Sequence, residues 1–282
     1  PGDHQRTATA NGQTRAYLVH IPPGGLDEPA PVVLALHGAG INAQVMVRLS
    51  GLNAKSDEAG FVAVYPNGSG LGDWVLTWNA GGFPEKIAER KPDDVAFIEA
   101  VLDDLWAVVP VDPKRVYATG LSNGAMMCYR LAAELSGRIA AIAPVSGTLA
   151  LDQWAPDRPV PVLHFHGTAD RIVPFGGPGE NMRKLLAFKS VADTIRLCRE
   201  ANHCSVEPET VQIPDTIDDG TTVVRSTYAP EDTGAEVVLY TIENGGHTWP
   251  GQSPPNRFLG KSTKDVAAND VIWDFFKRHQ LP

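Results

Sequence analysis

The sequence has no apolar run that approaches the ~20 residues needed to cross a bilayer, and its longest buried-looking stretches, such as Val32 to Leu36, are only of strand length. It has no excess of basic charge: 24 Lys and Arg stand against 33 Asp and Glu, a net charge of -9 with His neutral. Such a surface repels phosphate backbones and anionic lipid, which argues against nucleic-acid and membrane partners and in favour of neutral substrates. Cysteine is scarce, with 3 in the chain. No pair has zinc-finger spacing, and no other ligand cluster is evident, so no metal is expected. Cys128 falls in an apolar helical stretch and reads as a buried thiol. Cys198 and Cys204 either close a small disulfide loop or stay reduced, since cysteine count alone does not fix the redox compartment. The chain opens on Pro1 without Met, from which either a removed leader or a trimmed chain is expected; no leader is visible.

What is present is enough apolar material for a core, 43% hydrophobic against 20% charged. Short apolar runs at Tyr17 to Ile21, Val32 to Leu36, Phe61 to Tyr65, Arg115 to Thr119, Ile139 to Val145, Val160 to Phe165 and Val237 to Ile242 read as strands. Most are continuous rather than alternating, as strands are when helices cover both faces of a parallel sheet. Between them Asp94 to Val109 places apolar residues at a 3.6 period, and Asn123 to Leu135, Lys184 to Arg199 and Asp265 to His279 are further helical candidates. The alternation predicts an α/β fold with a mostly parallel central sheet, helices on both faces and right-handed crossovers, in one domain over residues 1–282. Asn67 to Lys91 reads as a long loop, and Cys204 to Pro230 as a β-excursion or a cap.

Gly120-Leu121-Ser122-Asn123-Gly124 lies between a predicted strand and a predicted helix, the context that a G-x-S-x-G nucleophile needs. A turn that sharp leaves no room for neighbouring side chains, so glycine flanks it. A serine hydroxyl needs an imidazole to take its proton and a carboxylate to hold that imidazole, in the chain order Ser, acid, His. Asp170 follows the strand Val160 to Phe165 in His166-Gly167-Thr168-Ala169-Asp170, and is the acid candidate; Asp152 and Asp157 precede that strand. His247 follows the last strand, with Gly245 and Gly246 before it, and is the base candidate. His164 and His166 alternate with Phe165 and read as packing or hydrogen-bonded residues, while His4, His20 and His37 come too early in the chain, and His203 and His279 lie in polar contexts. For the oxyanion, one amide is expected from Asn123, the residue after the nucleophile, and a second from Ala39 or Gly40 in His37-Gly38-Ala39-Gly40. Trp78 and Trp249 each stand close to a catalytic feature in the chain and are expected to form an aromatic wall for the substrate. Trp106 and Trp273, on helices, read as core.

Taken together, Leu36-His37-Gly38, Thr77-Trp78-Asn79, Asp93-Asp94-Val95-Ala96-Phe97-Ile98, Gly120 to Met126, His166 to Asp170 and Gly246-His247-Thr248-Trp249-Pro250-Gly251 resemble the secreted esterase family of feruloyl esterases and polyhydroxybutyrate depolymerase-like (LpqC-type) proteins. The resemblance runs from about residue 14 to the end. It implies an α/β-hydrolase fold, no cofactor, and hydrolysis outside the cytoplasm, secreted or periplasmic, of feruloyl or acetyl esters of plant polysaccharide or of short hydroxyalkanoate esters. Relatives often carry cysteines soon after the Trp-Asn pair, where this chain has Gly81-Gly82-Phe83, so a looser loop is expected there. Two alternatives remain at this point: a serine peptidase of the same fold, and a catalytically inactive carbohydrate-binding relative.

Overall fold

The computed structural model describes residues 1–26, 28–72, 74–84, 92–231 and 233–282. Its sheet strands are β1 (Gly2–Ala10), β2 (Gln13–Ile21), β3 (Ala30–Leu36), β4 (Val62–Pro66), β7 (Val111–Leu121), β8 (Ala141–Val145), β9 (Val162–Gly167), β10 (Glu209–Gln212), β11 (Thr222–Tyr228) and β12 (Val237–Glu243); β5 (Ser69–Leu71) and β6 (Val75–Thr77) form a separate hairpin. The sheet order is β1-β2-β4-β3-β7-β8-β9-β12-β11-β10. The six strands from β4 to β12 pair in parallel, and both flanks are antiparallel.

The helices are α1 (Ala43–Ser50), α2 (Leu52–Ala59), α3 (Asp94–Val108), α4 (Asn123–Glu134), the single turn α5 (Glu180–Arg183), α6 (Val191–Ala201) and α7 (Ala268–Phe276). Strand β3 shows why they take both faces. All its residues are buried. Val32, Leu34 and Leu36 join a core with residues of α3, α4 and α6, while Val33 and Ala35 join a second core with residues of α1 and α7. Side chains alternate across a strand, so a continuous apolar run serves two layers at once.

Several boundaries differ from the sequence reading. The helix expected over Lys184 to Arg199 begins at Val191, because Ser190 accepts the Asp193 N–H at 3.0 Å and caps it there. The expected Asp265 to His279 helix is shorter at both ends. The first part of the Asn67 to Lys91 loop is the β5–β6 hairpin, and residues 85–91 lie outside the described residues. Cys204 to Pro230 contains β10 and β11, an extension of the sheet rather than a cap. Strand β1 was not legible, since only Ala8 of its residues is buried. All three cysteines are buried free thiols, and Cys204 donates to the Ala235 carbonyl at 3.0 Å. The bridge weighed for Cys198 and Cys204 does not form, and the support it would have lent to export goes with it.

The topology places one segment from each of five parallel strands on a single edge. Gly38 follows β3, Ser122 follows β7, Ser146 follows β8, Asp170 follows β9 and His247 follows β12. That carboxyl edge is where open α/β sheets gather their functional groups.

Candidate active site

Ser122 occupies the single residue between β7 and α4, with φ 59° and ψ -120°, a left-handed conformation that a residue bearing a Cβ adopts only when its surroundings force it. The surroundings are backbone. A Cβ on Gly124 would lie 2.2 Å from the Leu36 carbonyl oxygen, and one on Gly147 would lie 2.1 Å from the Ser122 carbonyl oxygen. The turn is wedged between the ends of β3 and β8, and the Ser122 N–H donates to the Val145 carbonyl at 2.9 Å.

A buried network braces the same turn from the other side. The Asn123 side-chain oxygen accepts from the Trp78 N–H at 2.6 Å and from the Thr77 hydroxyl at 2.9 Å. The Trp78 indole donates to the His37 carbonyl at 2.9 Å. His37 Nε2 accepts the Gly68 N–H at 2.9 Å, which leaves Nδ1–H to donate to the Gly38 carbonyl at 2.8 Å; burial pushes this imidazole down to about 4 and keeps it neutral. Asp94, fully buried and ion-paired with Arg15, accepts the Asn79 N–H at 2.6 Å. The Thr77-Trp78-Asn79 and Asp93-Asp94 segments therefore meet, and serve to hold the loop over the Ser122 turn. The Gly81-Gly82 stretch is tied as well, with the Ala187 N–H donating to the Gly82 carbonyl at 2.8 Å.

Of the expected oxyanion donors, the Asn123 N–H belongs to the first turn of α4, where backbone donors have no acceptor within the helix. Gly40 is a correction: its N–H donates to the Leu76 carbonyl at 2.8 Å and is already spent. Of that pair, Ala39 alone remains as a candidate.

Asp170 and His247 meet as the order of the chain predicts. His247 Nδ1 donates to Asp170 Oδ2 at 2.7 Å, and both residues are buried. Because the carboxylate can only accept, the proton is on Nδ1 and Nε2 is left as the free base. The other carboxylate oxygen accepts from the Ile172 and Val173 N–H groups at 2.8 and 2.9 Å. The His247 N–H donates to the Leu259 carbonyl at 2.6 Å. The Ser146 hydroxyl donates to the Thr248 carbonyl at 3.3 Å, which links the end of β8 to the His247 loop. Leu121, next to Ser122, and His247 line one recess together with Trp249, Pro254 and Leu259; its volume is about 10 Å³.

The aromatic wall is not there. Trp78 has no exposed surface and Trp249 is 2% exposed. Each packs in a core and spends its indole N–H internally, Trp78 on His37 and Trp249 on Asn269 at 2.9 Å. Among the described residues the exposed aromatics are instead Trp74, 75% exposed in the β5–β6 hairpin, and Phe258, 93% exposed in the 3-10 turn after the His247 loop. Sequence reasoning also missed the side chains of Asn123, His37 and Asp94, which support the turn without being nucleophile, acid or base.

A strand order with six parallel members, a strained serine between strand and helix, and an acid and imidazole from later strand ends define an α/β-hydrolase. An acetyl xylan esterase from Aspergillus awamori has this fold, with a TM-score of 0.64 and 16% identity over 97% of this chain and 99% of that one. The Esterase PHB depolymerase family model matches residues 15–156. NocK of Nocardia uniformis subsp. tsuyamanensis, which carries an esterase name, is 36% identical over 284 residues, covering 96% of this chain and 81% of that protein. The bifunctional acetylxylan esterase/xylanase XynS20E of Neocallimastix patriciarum is 27% identical over 274 residues, covering 97% of this chain but 34% of that much longer protein. The chain belongs to the Esterase PHB depolymerase family and is a carboxylic-ester hydrolase.

Proposed function

We propose that residues 1–282 form one catalytic unit that hydrolyses carboxylic esters through an acyl-enzyme on Ser122, with His247 as general base and Asp170 as the residue that orients it. The observation that carries this reading is the 2.7 Å bond from His247 Nδ1 to Asp170 Oδ2, which leaves Nε2 free on the sheet edge that also presents the strained Ser122. Ser122 attacks the ester carbonyl as His247 Nε2 takes its proton. The oxyanion rests on the amides of Asn123 and Ala39. The imidazolium, stabilised by Asp170, returns the proton to the leaving alcohol, and water then repeats the sequence on the acyl-enzyme.

For the substrate, burial of Trp78 and Trp249 removes the argument that these two rings select an aromatic acyl group. Feruloyl and acetyl esters of polysaccharide and short hydroxyalkanoate esters are the candidate substrates. Export is part of the proposal; among the described residues no helix is long and apolar enough to cross a membrane. Reaction with a serine-directed organophosphate followed by peptide mass mapping tests the centre of it. The expected result is a single adduct on Ser122 with loss of activity toward a chromogenic acetyl ester; an adduct elsewhere, or full turnover by Ser122→Ala, would remove Ser122 as nucleophile.

A further inference from the structure

Behind Asp170 lies a file of polar side chains that the proposed mechanism leaves unused. Tyr129 on α4 and His164 and His166 on β9 have no solvent exposure, yet they touch one another in sequence. Their partners fix every proton in the file. The Val173 carbonyl can only accept, so His166 Nε2, 2.8 Å away, carries a hydrogen and donates it. Desolvation disfavours the charged imidazole and pushes both histidines down, His164 far below the ordinary range, so each has one acceptor nitrogen. In His166 that acceptor is Nδ1, and His164 Nε2 donates to it at 3.1 Å. In His164 the acceptor is then Nδ1, and the Tyr129 hydroxyl donates to it at 2.7 Å. The file runs one way, from Tyr129 through His164 and His166 to Val173. Reversing a member would set two hydrogens or two lone pairs against each other in a dry interior, at a cost of about 1–3 kcal/mol per unsatisfied group.

The file ends on the acid. Val173 is held at both of its polar atoms: its carbonyl accepts from His166, and its N–H donates to Asp170 Oδ1 at 2.9 Å. His166 Nε2 also lies 3.6 Å from Asp170 Oδ2, beyond a hydrogen bond but near enough for its partial positive charge to favour the carboxylate. The ionisable groups that face His166 are His164 from its own strand, Asp170 from the loop after β9 and His247 from the loop after β12; the Phe175 ring closes the remaining side edge-on at 5.8 Å. A charged imidazolium here would compete with His247 for Asp170. A neutral one does not.

We propose that His166 is a positioning residue: through Val173 it fixes the Asp170 loop, and the buried Tyr129–His164 file fixes the tautomer in which it does so. The proposal rests on the ester-hydrolase reading above, in which Asp170 serves His247. The test compares His166→Leu, His166→Asn and His166→Gln. Leu removes the donor, Asn is too short to reach Val173, and Gln restores a donor near the position of Nε2. Two readouts are taken: kcat and KM on a chromogenic acetyl ester, and the low-field proton NMR signal of the His247 Nδ1–H held by Asp170. The expected result is a kcat lower by on the order of 10²-fold in Leu and Asn with KM little changed, the loss that a displacement of about 1 Å produces. The low-field signal should be lost in both, and Gln should restore both readouts. If Leu does not fold, the Asn and Gln pair decides alone. Wild-type kcat and an intact signal in Asn would overturn the proposal, because His166 would then be packing only. If wild type turns over no ester, the hydrolase reading fails instead, and the NMR comparison still reports on positioning.

Discussion

Around Ser122 the constraint is backbone against backbone: the carbonyls of Leu36 and of Ser122 itself stand where side chains on Gly124 and Gly147 would be. Around His247 the constraint is a series of directed hydrogen bonds, from Tyr129 to Val173 and from His247 to Asp170. Both halves lie on one sheet edge, but they should fail differently. A steric cradle fails when volume is added. A hydrogen-bonded file fails when a proton is moved, even if no volume changes.

The sharpest test of this contrast is Asp170→Asn, which alters charge and proton position at almost constant volume. It should lower kcat by roughly 10⁴-fold, as expected when the wrong imidazole tautomer is held, and leave the melting temperature nearly unchanged. Near-normal turnover would mean that another carboxylate serves His247. On the opposite side, Gly147→Ala adds one methyl group and no charge. The added Cβ, 2.1 Å from the Ser122 carbonyl, has to displace backbone. A cost of about 1–3 kcal/mol or more is expected for overpacking, seen as a lower melting temperature together with lower kcat. If Gly147→Ala melts like wild type, the cradle is looser than its geometry implies.

Stability against pH tests the same contrast at the level of the whole fold. Burial lowers His37 to about 4, and it also lowers His166 and, strongly, His164. A group depressed in the folded state contributes stability that is fully present above its unfolded pKa, and that is lost as pH falls toward the folded value. The unfolded chain takes up protons that the folded chain refuses. Stability should therefore be flat above about pH 6.5, the ordinary histidine value, and fall below it by up to about 1.4 kcal/mol per pH unit for each of the three imidazoles. Thermal melts by circular dichroism between pH 7 and 4.5 read this directly. His37 reports on the Ser122 half, and replacing it by Gln should flatten its share of the slope. Melting temperatures that do not change with pH would mean that these rings protonate in place.

How much of this was legible follows from where the partners lie. The central strands announced themselves as apolar runs, and Ser122, Asp170 and His247 were readable because each follows a strand in a fixed chain order. Helices α1 and α2 were not read, being two short segments of 8 residues each. The β5–β6 hairpin was hidden among glycines. The roles of Asn123, His37 and Asp94 depend on partners that sequence spacing does not show, such as Trp78, 45 residues from Asn123. His164 and His166, two apart on a strand, necessarily share a face, so their contact was within reach; Tyr129 as the start of the file was not. Chain proximity misled most for the tryptophans. A position two residues after His247 says nothing about direction, and Trp249 turns into the core beside α7.

That reversal gives the smallest expected effect on catalysis. Trp78→Leu and Trp249→Leu each remove a buried indole, so each should lower the melting temperature. Trp78 should cost more. Its indole N–H serves the buried backbone carbonyl of His37, which Leu leaves without that donor. Trp249 serves Asn269, whose part-buried side chain has water as an alternative partner. Large-to-small changes of this kind cost about 2–5 kcal/mol at fully buried sites. What neither should do is change substrate choice. Measured as kcat/KM for a hydroxycinnamoyl ester relative to an acetyl ester, the ratio should stay at the wild-type value in both variants, because a ring with almost no exposed surface cannot be touched by an acyl group. A selective loss of the hydroxycinnamoyl ester in Trp249→Leu, with the melting temperature unmoved, would show that the His247 loop opens in solution and turns that indole toward the substrate after all.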